Sequence, residues 1–327
     1  MQRVAVIGLG NIAKRHRYNL KQLFPNATLF ALSASGRTPK ADVSDCDHLV
    51  SDIEALLAAR IELAIVASPA PFHAEHALPL VSAGIPVLIE KPVVTEGSDI
   101  DSLIAAAELS GTPVAVGYCL RYLPSAQKMH QLITEQKLGK LYNINIEIGQ
   151  YLPDWRPGKD FRNSVSANAH LGGGALNELS HELDYARWLF GELCVKAAIL
   201  RSSDAFNLNV EDCVDLLAIS EHGVVASVHM DFLQRAVHRC CRVVGVEGAL
   251  EWDLLKNSIV FYNSNGSEIL YAEPEWSKSL MYLEMLRDFI RMIKGEAHHC
   301  ISLGDAGKTV RLIQKIRDKA CLGNLTR

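Results

Sequence analysis

VAVIGLGNIAKRHRYNL, residues 4–20, joins a short apolar run to a helical pattern through three small residues, Gly8, Gly10 and Ala13. The run Val4–Ile7 is apolar throughout, as a strand buried on both faces reads. Glycine at position 8 permits a tight turn. Glycine at position 10 lets backbone approach a pyrophosphate, and a small residue at 13 lets the helix pack close on the strand. The helix opened by Asn11 and Ile12 then turns its N-terminal N–H groups and the positive end of its dipole toward the phosphates. A lone G-x-G-x-x-A is a weak signal. Set between a strand and a helix it predicts a dinucleotide site, against the blander reading of a plain strand–helix turn.

Outward from this turn the pattern repeats. TLFAL (28–32), LAIVAS (63–68), VLIE (87–90) and VAVGY (114–118) are short apolar runs, separated by helical stretches such as DIEALLAAR (52–60) and HAEHALPLVSAG (73–84). Such alternation predicts an α/β fold with a doubly wound parallel sheet, a Rossmann domain over residues 1–121. From 122 to 327 the texture changes to α+β. A helix is expected over 174–190, followed by hairpin-linked strands that build a large, open, mostly antiparallel sheet. Two helices close the chain, and the segment 280–320 is free to pack back on the first domain.

The 327 residues are 49% hydrophobic and 21% charged, with a net charge of −4. This composition fits a globular protein of about two domains and argues against a nucleic-acid or anionic-membrane binder. Eight cysteines without a C-x-x-C pair argue against a zinc ribbon, and no metal is expected. No apolar run approaches about 18 residues and no signal segment precedes the first strand, so a cytoplasmic location is expected.

Candidate site residues gather where strands end, because ligands of open α/β sheets bind there. After the second strand an acid would select NAD; here Ser33, Ser35 and Arg37 stand in its place. Hydroxyls and a guanidinium suit a 2′-phosphate, so NADP is favoured over NAD. The alternative is that Arg37 and Lys40 are solvated loop charges and either cofactor serves. Ala67, Ser68 and Pro69, at the end of the third strand, are expected on the nicotinamide side, with His73 a cofactor contact or a structural histidine. The fourth strand ends Glu90-Lys91-Pro92. Lys91 can bind a substrate hydroxyl or assist its proton transfer, Glu90 can pair with it or hold a ribose, and Pro92 permits a cis bond. Alone, the tripeptide reads equally as a surface charge pair.

Two later segments carry further candidates. Trp155, Arg156, Lys159 and Arg162 cluster in the irregular run 151–164, suited to stacking on a sugar or base and to binding an anion, or else forming a solvated basic loop. In GGGALNELSHELDYARWLFG (172–191), helical spacing would put Asn177, His181, Asp184 and Trp188 on one face, with the glycines letting backbone come close to a ligand. Asp184 could orient the imidazole of His181 or lie buried and satisfied.

Together these motifs resemble the large family of NAD(P)-dependent sugar and polyol dehydrogenases that includes glucose–fructose oxidoreductase and inositol dehydrogenase. The resemblance spans the chain, through GLGNIA (8–13), ASPAPFH (67–73), GIPVLIEKPVV (84–94), VGYCLRYLP (116–124), the 172–191 segment and GVEGALEWD (245–253). It implies hydride transfer between a nicotinamide and a carbinol or carbonyl of a sugar, sugar derivative or sugar nucleotide. Lys91 would be catalytic, often preceding a cis bond, and His181 would act with it. His181 is the expected general base, with Lys91 the alternative. Arg121, retained, would reach cofactor or substrate. By residue type and place, Trp155, Arg156, Arg162 and Asn177 are expected to join Lys91 and His181 at the substrate. The family acid four residues before the histidine is replaced by Asn177, and Glu178 follows about 100° further round a helix. That departure leaves two alternatives open: a non-catalytic NADP-binding sensor, or another family reaction on an imine, an enol ether or a redox-neutral substrate. The bare sheet face implies a homodimer or homotetramer.

Overall fold

The computed structural model describes residues 1–37 and 42–322; Lys40 lies outside them. The chain divides into two compact units, one holding Met1–Tyr118 and Tyr282–Val310, the other Cys119–Met281 and the chain from Arg311.

In the first unit β1 (Arg3–Ile7), α1 (Asn11–Leu23), β2 (Thr28–Leu32), β3 (His48–Val50), α2 (Ile53–Ala58), β4 (Leu63–Val66), α3 (His73–Ser82), β5 (Val87–Glu90), α4 (Gly97–Ser110) and β6 (Val114–Gly117) follow in order. The strands form one parallel sheet, β3-β2-β1-β4-β5-β6. Every residue of β4, β5 and β6 is buried, as expected of strands covered on both faces. Strand order reverses between β1 and β4, so the loops after these two strands flank the crevice where such sheets bind ligands. The edge strand β3 was not expected. It is three residues long, and two of them are exposed, so it carries no apolar run to announce it.

The second unit contains α5 (Pro124–Thr134), β7 (Leu141–Gly149), α6 (Ala175–Glu178), α7 (His181–Phe190), β8 (Leu193–Arg201), β9 (Cys213–Ser220), β10 (Val225–Asp231), β11 (His238–Gly245), β12 (Gly248–Asp253), β13 (Ser258–Asn263) and β14 (Gly266–Ala272). Beyond it α8 (Leu280–Ile293), α9 (Leu303–Lys319) and β15 (Ala320–Leu322) end the described chain. The large sheet runs β14-β13-β12-β11-β7-β10-β9-β8-β15 and is antiparallel except where β7 meets β10 and β8 meets β15. Along β9, Val214, Leu216 and Ala218 are buried while Asp215, Leu217 and Ile219 are less so, the alternation of a sheet covered on one face. On the covered face Trp252 is fully buried, meets Tyr185 of α7 edge-on at 5.1 Å and donates to Ser125 Oγ of α5 at 2.8 Å. Its indole N–H thus keeps a partner in the core.

The helix expected over 174–190 is broken. Leu179, at φ −99° and ψ 21°, leaves the helical path between α6 and α7. Contacts from far along the chain hold α6 in place: Ala175 N–H donates to the Glu211 carbonyl at 2.9 Å and Leu176 N–H to the Glu211 carboxylate at 3.1 Å. Asn177 and His181 therefore belong to different helices and do not share one helical face.

The outer sheet face carries an ionic network. His229 donates from Nδ1 to Asp215 at 2.6 Å and from Nε2 to Asp231 at 2.9 Å. These acids, Asp231 foremost, outweigh burial and raise the His229 pKa to about 9. The pair-wise stabilisation is complete below the unfolded histidine pKa of roughly 6.5 and is lost as pH rises through about 9. Urea unfolding is expected to lose on the order of 1 kcal/mol between roughly pH 7 and 10, after allowance for solvent screening. His229→Gln should flatten that slope.

Candidate active site

In the first unit the turn after β1 is shaped by backbone crowding. Gly8 adopts φ +115°, and a Cβ there would stand 2.3 Å from the Ala67 carbonyl oxygen. Its N–H donates to Leu32 O at 2.8 Å, and Ala67 N–H donates to Ile7 O at 2.8 Å, so the ends of β2, β1 and β4 are stitched side by side. Gly10 is different: a Cβ there meets nothing within 4 Å. It is the N-cap of α1, no side chain caps the helix, and the first turn holds no acid. The unclaimed N–H groups of Asn11, Ile12 and Ala13 and the open space before them fit a pyrophosphate. Ala13, His16, Arg17 and Leu20 form the buried stripe of α1.

Arg17 escaped the sequence reading. It is buried, and its guanidinium donates to Ser44 O at 2.8 Å and to Gly8 O at 3.4 Å, bracing the glycine turn from below. Burial lowers its pKa, with Cys46 and Asp45 opposing. The available signal was its place four residues after Ala13 on the inward face. Ser33 and Ser35 stand at the end of β2 with their hydroxyls 3.4 Å apart, and Ser35 and Arg37 are exposed. No acid occurs from Ser33 to Arg37.

At the end of β4, Ala67 is buried and Ser68 and Pro69 are half-buried. Ser68 Oγ lies 2.9 Å from His76 Nδ1, and burial lowers the His76 pKa. His73 is 1% exposed, with Nε2 2.7 Å from Ser68 O and Nδ1 3.0 Å from Pro92 O. It braces the loop after β4 against the loop after β5, and burial lowers its pKa despite these carbonyls.

The loop after β5 holds a cis Lys91–Pro92 peptide. Lys91 is half-buried at the carboxyl end of the strand. Glu90 is buried, one oxygen lies 2.7 Å from His16 Nε2, and the other accepts the Lys91 N–H at 3.1 Å.

In the second unit Arg121 donates to both Asp184 oxygens, Nε at 2.9 Å and Nη2 at 2.6 Å. Its guanidinium carbon lies 5.4 Å from the centre of the Trp188 ring, which stacks on His130 at 4.4 Å. Two-point pairing of this kind fixes geometry as well as charge. Cys119 is buried beside it in sequence. Asn177 is buried and donates to Gly172 O at 3.0 Å, bracing the glycine turn. The glycines at 173 and 174 make room for the chain itself: a Cβ would meet Val165 O at 2.4 Å and the Glu211 carboxylate at 2.5 Å. Glu178 accepts from Ser166 Oγ at 2.9 Å, and His181 opens α7 half-buried. In the 151–164 run Trp155 packs edge-on against Phe232 at 5.2 Å. Arg162 lies over Phe161 and beside Asp160, and Arg156 is half-buried. A second aromatic–cation pair in this region is Tyr151 under Arg235 at 3.6 Å, which the sequence did not single out.

Comparison with known proteins bears on both halves. Residues 2–118 match the model of an oxidoreductase family with an NAD-binding Rossmann fold, and residues 126–251 match the GFO/IDH/MocA C-terminal domain. A protein named, provisionally, as a UDP-kanosamine synthase oxidoreductase subunit of Amycolatopsis mediterranei is 34% identical over 285 residues, 81% of this chain and 77% of that one. Inositol 2-dehydrogenase of Acidiphilium cryptum is 26% identical over 256 residues, 75% of this chain and 72% of that one. A levoglucosan dehydrogenase solved with NADH and levoglucosan shares the fold at a TM-score of 0.83 and 19% identity, covering 97% of this chain and 96% of that one. An uncapped helix at a Rossmann crossover, a Lys91–Pro92 turn on the same sheet edge and these two matched domains place the chain in the GFO/IDH/MocA family of NAD-binding oxidoreductases.

Proposed function

We propose that this oxidoreductase exchanges a hydride with one carbinol of a sugar, sugar derivative or sugar nucleotide, preferring NADP(H). The observation that carries the reading is one sheet edge bearing both the open N-terminus of α1 and, after β5, Lys91. Backbone N–H groups of residues 11–13 hold the pyrophosphate, Ser33, Ser35 and Arg37 the 2′-phosphate, and Ala67, Ser68 and Pro69 the nicotinamide side. When bound, the nicotinamide supplies the hydride chemistry. Lys91 stabilises negative charge on the carbinol oxygen, and His181 takes or returns its proton. Arg156, Arg162 and Trp155 recognise the remainder of the substrate. A sugar substrate is supported by the names of the inositol, levoglucosan and UDP-kanosamine relatives. A second copy of the chain is assigned to the outer face of the large sheet, where Ile199 and Leu217 are exposed.

A panel of polyols, sugars and sugar nucleotides, followed by nicotinamide absorbance with each cofactor, tests this reading alongside the sedimentation mass. NADPH is expected to lead NADH in kcat/KM by about tenfold, a gap that Arg37→Ala closes, as loss of one charge-assisted contact of about 1.4 kcal/mol would. Equal use of both cofactors refutes the NADP preference. Tight cofactor binding without turnover on any substrate favours the sensor reading instead.

A further inference from the structure

A buried acid–histidine pair ties the lysine turn to the dinucleotide helix. His16 is fully buried, Glu90 is 6% exposed, and His16 Nε2 stands 2.7 Å from Glu90 Oε1. The second Glu90 oxygen accepts the backbone N–H of Lys91 at 3.1 Å. Gly117, in register with Glu90 on β6, leaves the carboxylate its room, since a Cβ there would lie 3.1 Å from it. The Tyr282 ring closes the other side of His16 at 6.2 Å, edge to face. Both carboxylate oxygens are thus engaged, one by a side chain from α1 and one by the residue next in chain. His16 lies on the helix whose N-terminus seats the pyrophosphate.

We propose that His16 is a positioning residue: acting through Glu90, it fixes the Lys91 backbone relative to the phosphate seat of α1. The inference rests on the reading of Lys91 given above. A carboxylate that accepts from two sides has one stable orientation, and bonds to a charged acceptor are the stronger kind. Without His16 the buried carboxylate lacks a donor and turns to find another, releasing the Lys91 N–H and letting the turn shift. A displacement of about 1 Å at a reacting group can cost on the order of 100-fold in rate.

The test compares His16→Ala, His16→Asn and His16→Gln. The glutamine N–H can reach the Glu90 oxygen that Nε2 holds; the asparagine is one methylene too short. His16→Ala and His16→Asn are expected to lower kcat about 10- to 100-fold while cofactor Kd, read by fluorescence, changes less than about threefold. His16→Gln should recover most of kcat. A readout without turnover follows the Lys91 amide in protein labelled with nitrogen-15 lysine, its resonance assigned by its loss in Lys91→Arg. Loss of the bond to the carboxylate should move that amide upfield and speed its exchange in the asparagine variant, with return in the glutamine variant. Asparagine and glutamine variants that behave alike, or a loss carried wholly in cofactor Kd, overturn the proposal. The underlying reading fails separately: if Lys91→Met keeps full turnover, the lysine has no role to be positioned for. If Lys91→Met is inactive while every His16 variant is fully active, only the positioning role is lost.

Discussion

Lys91→Met is expected to lower kcat/KM on the true substrate by about 10³-fold while leaving cofactor Kd nearly unchanged. Methionine keeps an apolar stem of similar reach and removes only the ammonium. What is lost is stabilisation of charge that develops on the carbinol oxygen, a term of about 10²–10³ for a single donor, together with any share in proton transfer. The lysine sits half-buried at the end of β5, where bulk water screens it incompletely. Steady-state kinetics beside a cofactor titration separates the two effects. Full kcat/KM in the variant refutes the assigned chemistry.

Gly8→Ala should be the most damaging single-methyl change in the first unit. Its φ of +115° is closed to side chains, and the added Cβ would sit 2.3 Å from the Ala67 carbonyl oxygen. The oxygen is backbone and the Cβ is fixed by the Gly8 backbone, so no flexible tip can yield. A cost of about 3 kcal/mol or more follows from combining the strained dihedral with the overlap, seen as a thermal midpoint lowered by about 5 °C or more. Cofactor affinity should fall with it, because the turn aims α1. Gly10→Ala gives the contrast. A Cβ there meets open space, so the midpoint should hold while the methyl occupies the phosphate seat and weakens binding. Equal midpoints for the two variants would refute this division of labour.

Elements set by local pattern were legible in residues 1–120. Parallel strands buried on both faces must be apolar throughout, and VAVI, TLFAL, LAIV, VLIE and VAVG all appear as strands of one sheet. The large, mostly antiparallel second sheet was legible from alternation and turns. The β3 edge strand was not, because three residues, His48-Leu49-Val50, are too few to show a period.

Partnerships between distant residues were beyond local reading. Glu90 offered two readings, a mate for Lys91 or a hand on ribose; its side-chain partner came from 74 residues away, on α1. Spacing leaves Asp184 either an orienter of His181 or a buried, satisfied acid; in the fold its carboxylate is forked by Arg121, 63 residues distant. The same cause split the helix around Asn177, since Glu211 anchors α6. Periodicity reports which face of an element is buried, and a turn's steric needs are written in its glycines. Neither encodes which remote group will meet a buried polar atom. Strand–helix alternation, the glycine turn and the place of Lys91 at a strand end all follow from local residue pattern. What holds that lysine in place emerges on packing, because a buried carboxylate takes whichever donors the folded chain brings within hydrogen-bond reach.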